Sequence, residues 1–127
     1  MCIRDRSKVE DIVIGNVLTP GAAATTSRMA GFLAGYPDTT CVQGINRLCS
    51  SGLQAVATIA NAIKAREISV GMAGGVESMS NGDMMGAVNP DLLSDQVFEH
   101  DAAQKCLMPM GQTSENVAEK FGITREV

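Results

Sequence analysis

The run Val42-Gln43-Gly44-Ile45-Asn46-Arg47-Leu48-Cys49-Ser50-Ser51-Gly52-Leu53-Gln54-Ala55-Val56 decides how this chain is read. It passes from a strand-like segment, through a cysteine flanked by small polar residues, into a long apolar helix pattern, and so predicts a thiol at a helix N-terminus. Unpaired backbone N–H groups and the positive end of the helix dipole favour thiolate over thiol there, which makes Cys49 the candidate for covalent catalysis. From the residues alone the competing reading is a small core hydrophobe, because free cysteine is among the most buried residue types. Ser50 and Ser51 have no His or Lys in motif spacing to act as a base, and are expected to be first-turn residues whose hydroxyls satisfy exposed amides.

Outward from this stretch, strands alternate with helices. Asp11 to Leu18 is β-branched and ends at Thr19-Pro20-Gly21, predicting a buried strand and a turn. A helix is expected from about Thr25, capped by Thr26 or Ser27 and stopped by Gly35 and Pro37. Thr39 to Asn46 reads as a second strand and Ile68 to Val76 as a third. Between them, Ser50 to Arg66 carries Leu53, Val56, Ala57, Ala60 and Ile63 on one face, with Ala55, Ile59 and Ala62 making the other sides apolar too. A helix apolar all round is expected to be buried all round. Gly, Asn, Asp and Pro then predict a loop-rich region to about Cys106, followed by a helix from Thr113 to Phe121 that ends at Gly122. The alternation implies right-handed βαβ units and a mainly parallel sheet, an α/β fold.

Composition narrows the classes. The 127 residues hold Lys+Arg 10 against Asp+Glu 14, a mildly acidic balance that argues against a nucleic-acid partner. No apolar run approaches the ~20 residues of a membrane span, and the N-terminus lacks the apolar core of a signal peptide, so an intracellular protein is expected. The four cysteines, Cys2, Cys41, Cys49 and Cys106, form no C-x-x-C pair, and His100 is not spaced from any of them like a zinc ligand. No metal is expected; Cys2, Cys41 and Cys106 read as reduced thiols and His100 as a solvated loop imidazole. Gly74-Gly75 marks close backbone approach at a strand end. Glu77, ending a strand beside Ser78 and Ser80, is expected to be hydrogen-bonded structure rather than a catalytic acid or base.

Three blocks carry a more specific signal. Asn46-Arg47-Leu48-Cys49-Ser50-Ser51-Gly52-Leu53-Gln54-Ala55 resembles the nucleophile motif of thiolases. Gly71-Met72-Ala73-Gly74-Gly75-Val76-Glu77-Ser78-Met79-Ser80 and Pro109-Met110-Gly111-Gln112-Thr113-Ser114-Glu115-Asn116-Val117-Ala118-Glu119 match that family in the same order. The resemblance runs from about Val9 to Val127 and is nearest the peroxisomal-type 3-ketoacyl-CoA branch. Residues 1–7 stand outside it and read as a non-native leader, 8–80 as a partial thiolase N-terminal domain, and 81–127 as the start of the loop domain.

The resemblance implies a five-layer αβαβα architecture in which the nucleophile helix lies between two sheets. It implies Cys49 as the acyl-thioester nucleophile, its backbone N–H in an oxyanion hole, and Met110 as a lining of the acyl pocket. Pro109, where short-chain biosynthetic thiolases carry His, favours the degradative branch. The implied reaction cleaves 3-ketoacyl-CoA with CoA to acetyl-CoA and a shortened acyl-CoA, as in fatty acid β-oxidation. Coenzyme A is then a substrate, and no cofactor is required. The implied setting is a homodimer, peroxisomal in a eukaryote and cytoplasmic in a bacterium. The family's base, in a Gly-His-Pro motif, and its second cysteine, in a Cys-x-Gly-Gly-Gly motif, do not occur in this sequence. His100 has no such context.

Rival readings are a ketoacyl synthase, an acetoacetyl-CoA-forming thiolase, and a catalytically silent fragment that dimerises through the strand at Thr39 to Asn46. The family's strand order, 3-2-1-4-5, would also place a further strand between those at Asp11 and Ile68. Without it, unpaired backbone groups are expected unless the two strands close the gap or water enters, and the Ser50 helix loses cover on one face. An aggregation-prone or molten chain is the expectation.

Overall fold

A computed structural model describes residues 5–82 and 88–126, which belong to two compact units, Met1–Ala87 and Val88–Val127. The first unit is built on three parallel strands, β1 Asp11–Gly15, β2 Cys41–Ile45 and β3 Gly71–Gly75, in the order β2-β1-β3. Helix α1 (Ala24–Leu33) connects β1 to β2, and α2 (Ser51–Lys64) connects β2 to β3. The chain steps from the central strand to one edge and then back across to the other. Right-handed crossovers in opposite directions place their helices on opposite faces of the sheet, and the contacts agree. Val13 packs with Ala55 and Ile59 of α2. Ile12 and Ile14 point the other way, into an apolar groove shared with Ala30 and Gly31 of α1 and its C-cap residue Ala34.

The expected opening between the Asp11 and Ile68 segments is absent. β1 and β3 pair directly from Asp11↔Gly71 to Gly15↔Gly75, so the ladder satisfies the groups that an empty slot would have left unpaired. Glycines at the strand ends permit the close approach. A Cβ on Gly15 would lie 2.5–2.7 Å from the backbone of Ser51 and Gly52, and one on Gly75 would lie 3.4 Å from the Gly52 Cα. The carboxyl ends of β1 and β3 are therefore pressed against the first turn of α2.

The α2 helix is buried on one side only. Ser51, Ala55 and Ile59 face the sheet, whereas Leu53 is 74% exposed and Val56 and Ile63 are exposed as well, against the expectation of burial all round. A single sheet covers a single stripe of a helix. Neither Thr26 nor Ser27 caps α1. The helix follows a left-handed turn at Gly21, Ala22 and Ala23, and Thr26 Oγ1 donates to the Ala23 carbonyl at 3.0 Å. Gly44 on β2 makes room for that turn, since a Cβ there would strike the Ala22 carbonyl.

The second unit is helical where a loop was expected. A 3-10 turn at Pro90–Leu92 precedes α3 (Asp95–Glu99), α4 (Asp101–Lys105) and α5 (Met110–Phe121). Each short element starts at a side-chain cap: Asn89 accepts from the Asp91 amide, Ser94 from Gln96, and His100 Nδ1 from Ala103. α5 begins three residues before the expected Thr113, behind Pro109, and ends as expected at Gly122 with φ +64°.

Candidate functional site

The loops at the carboxyl ends of parallel strands are where an α/β sheet places its chemistry, and Cys49 lies on one of them. It occupies the five-residue connection between β2 and α2, immediately before the N-cap residue Ser50. The elbow is tightly tied. Asn46 Oδ1 accepts from the Leu48 amide at 2.9 Å, Ser51 Oγ accepts from the Arg47 amide at 2.8 Å and donates to the Leu48 carbonyl at 2.6 Å, and Ser50 Oγ donates to the Arg47 carbonyl at 2.8 Å. Leu48 is driven to φ +50°, a conformation that a leucine holds only where its surroundings over-determine it. Cys49 itself is exposed, and its amide makes no hydrogen bond among the described residues. A thiol and a free N–H thus sit together at the positive end of a fourteen-residue helix.

The serines differ from expectation. Ser50 is the N-cap of α2 but makes no side-chain cap bond, and both hydroxyls are spent on the elbow rather than on first-turn amides. Arg47 and Ser50 of the elbow, with Leu53, Gln54 and Ala57 of α2, line an open groove of about 380 Å³; Cys49 is not part of its lining. Arg47 Nη1 donates to Gln54 Oε1 across it.

Glu77 is engaged as structure. Its carboxylate accepts from the Val17 amide at 2.8 Å, the Leu18 amide at 3.2 Å and Asn16 Nδ2 at 3.0 Å. Asn16, only 4% exposed, was not anticipated as a site residue; an asparagine directly after a buried strand, free to bond neighbouring backbone, was the available signal. Met110 is the first residue of α5 in the second unit and is 61% exposed. His100 caps α4 through Nδ1. Cys41 and Cys106 are free and exposed, and Cys2 lies outside the described residues. Among the described residues, no group of His, Cys, Asp and Glu is arranged to hold a metal ion, and no helix is long and apolar enough to cross a membrane.

Comparison with known proteins agrees with the three sequence blocks. A family profile described as the thiolase N-terminal domain matches residues 4–127, a span that includes Arg4 to Ser7. The mouse protein named 3-ketoacyl-CoA thiolase A, peroxisomal, is 53% identical over 116 residues, which are 91% of this chain and 27% of the mouse protein. The crystal structure of the dimeric peroxisomal thiolase of Saccharomyces cerevisiae superposes with a TM-score of 0.83 at 47% identity, covering 92% of this chain and 30% of the yeast chain. A second yeast structure, described as five-layered and constructed from two core domains of identical topology, gives 0.61 at 48% identity, over 63% of this chain and 23% of the other. The chain thus spans between 23% and 30% of the length of these relatives.

Proposed function

The chain belongs to the thiolase family, within its N-terminal domain, and from that premise we propose that its residues carry the nucleophile of a 3-ketoacyl-CoA thiolase. The observation that carries the proposal is the exposed Cys49 at a strand-to-helix elbow, with an amide that makes no hydrogen bond among the described residues. In this reading the Cys49 thiolate attacks the keto carbon of a 3-ketoacyl-CoA. Collapse of the tetrahedral adduct breaks the C–C bond, leaving an acyl thioester on Cys49 and the enolate of acetyl-CoA. A proton delivered to the enolate carbon completes acetyl-CoA, and the thiolate of a second CoA takes the acyl group from Cys49. The Cys49 N–H faces the developing oxyanion. His100 is committed to capping α4, and no Gly-His-Pro or Cys-x-Gly-Gly-Gly run occurs here, so the base and the acid come from residues outside this sequence.

Met110 is assigned to the acyl pocket, residues 8–80 to the nucleophile-bearing part of the domain, and 81–127 to the start of the loop domain. The relatives' names supply the 3-ketoacyl-CoA substrate class and favour a peroxisome if the source is eukaryotic; the proposed role there is fatty acid β-oxidation. A homodimer through β2 fits the free edge of that strand. The test is peptide mass spectrometry after incubating the protein that carries these residues with a 3-ketoacyl-CoA. An acyl adduct on Cys49, lost in Cys49→Ala, is expected; an adduct on another residue, or none, would overturn the proposal.

A further inference from the structure

A polar network crosses the carboxyl ends of all three strands and finishes at the nucleophile elbow. It starts after β3 with Glu77, whose two oxygens take the Val17 and Leu18 amides and Asn16 Nδ2. Asn16 also donates to the Val76 carbonyl at 2.7 Å, and its Oδ1 accepts from the Thr19 amide at 2.9 Å, which fixes the loop after β1. The Val17 carbonyl then accepts from Asn46 Nδ2 at 3.2 Å. Asn46 passes the constraint on: its Oδ1 holds the amide of Leu48, the residue at φ +50° that immediately precedes Cys49.

We infer that Glu77 and Asn46 are positioning residues for Cys49, acting through the Val17 backbone. The chemistry suits the task. A carboxylate serving three donors with two oxygens holds them more firmly than a single amide oxygen would, and Glu77 is the member of this path built that way. Asn46 supplies the one donor and one acceptor needed to join two loops. Val17 is gripped on both sides, its N–H by Glu77 and its carbonyl by Asn46, so a shift at Glu77 moves Asn46 and thereby Leu48. Neither side chain has to touch substrate. The inference rests on the reading of Cys49 as the nucleophile, but predicts something that reading does not: selective dependence of this one thiol on a residue 28 positions away in the sequence.

Iodoacetamide alkylation provides the test, with Cys49 and Cys41 followed in the same sample by peptide mass spectrometry. Cys41, exposed at the start of β2, serves as the internal standard. Asn46→Ala and Glu77→Ala are each expected to lower the Cys49-to-Cys41 rate ratio by roughly tenfold, the loss of about one net hydrogen bond in the elbow. The double variant is expected to be little worse than either single one, because both act on one path. Asn46→Asp keeps the acceptor for the Leu48 amide but sets a carboxylate oxygen against the Val17 carbonyl, so it too should lower the ratio, and a ratio left unchanged would overturn the role of the Val17 link. Asn46 is exposed, so Asn46→Ala leaves the core intact, and an unchanged ratio in it would overturn the inference. Should Glu77→Ala lose its circular dichroism signal, Glu77→Gln replaces it. That variant presents an N–H2 to backbone donors and must also lower the ratio, and a ratio left unchanged overturns the role of Glu77. A ratio near unity in the unsubstituted chain would instead overturn the reading of Cys49, and the inference with it.

Discussion

Truncating Ile59 and Leu53 of α2 to alanine compares the two faces of one helix under the same backbone. Ile59 is 6% exposed and packs with Val13 and Ala55, both fully buried, with Ile45, Ile68 and Ala73 around them. Ile59→Ala removes three carbons from that cluster, and transfer plus cavity terms put the cost at about 2–5 kcal/mol. For a chain whose whole stability is on the order of 5–15 kcal/mol, this is a large fraction. Leu53 is 74% exposed, so only about a quarter of a side chain worth roughly 2–3 kcal/mol is buried; Leu53→Ala should cost less than about 1 kcal/mol. Urea unfolding followed by far-ultraviolet circular dichroism, at protein concentrations low enough to keep the chain monomeric, measures the difference. A midpoint lowered much further by Ile59→Ala is expected. If Leu53→Ala proves as costly as Ile59→Ala, α2 presents its other face to the sheet and the arrangement described above is wrong.

Two glycines should respond in opposite directions. Gly15→Ala drives a methyl into the backbone of Ser51 and Gly52 and should destabilise by about 1–3 kcal/mol, whereas Gly52→Ala, where a Cβ meets nothing within 4 Å, should stabilise by up to about 1 kcal/mol; thermal melts that rank them the other way would refute the contact. The exposed Leu53, Val56 and Ile63 should make the chain self-associate and bind an apolar dye, and the double change Leu53→Lys with Val56→Glu should reduce dye binding without lowering the urea midpoint, as fluorescence titration will show. The chain alone should give no CoA-dependent turnover above a Cys49→Ala control, because acid, base and nucleophile act as a unit; a coupled assay that detects turnover would contradict that assignment.

Local chemistry made much of the fold legible beforehand. β-Branched runs at Asp11 and the apolar stretch before Asn46 are strands because their side chains fit a pleated, half-buried surface, and Gly122 ends α5 because it adopts φ +64° without a Cβ clash. The position of Cys49, between a strand and a helix, follows from the change of hydrophobic period alone. The three short elements between Pro90 and Lys105 are not legible in the sequence because three to five residues are too few to show a helical period; they depend on single caps at Asn89, Ser94 and His100.

What the sequence by itself determined was therefore the order and type of the longer elements, the thiolase blocks, and the thiol at the elbow, all set within a few neighbouring residues. The tertiary structure decided everything that depends on a partner distant in sequence. The helix after Cys49 has apolar residues on every side, and only the single sheet beneath it selected Ala55 and Ile59 over Leu53 and Val56. β1 paired with β3 because two strands with unsatisfied edges lower their free energy by closing on each other, a choice that neither sequence encodes locally. The same holds for the path to the elbow. Glu77 meets Asn16, Val17 and Leu18 across some 60 residues of chain, and no pattern along the sequence records that meeting.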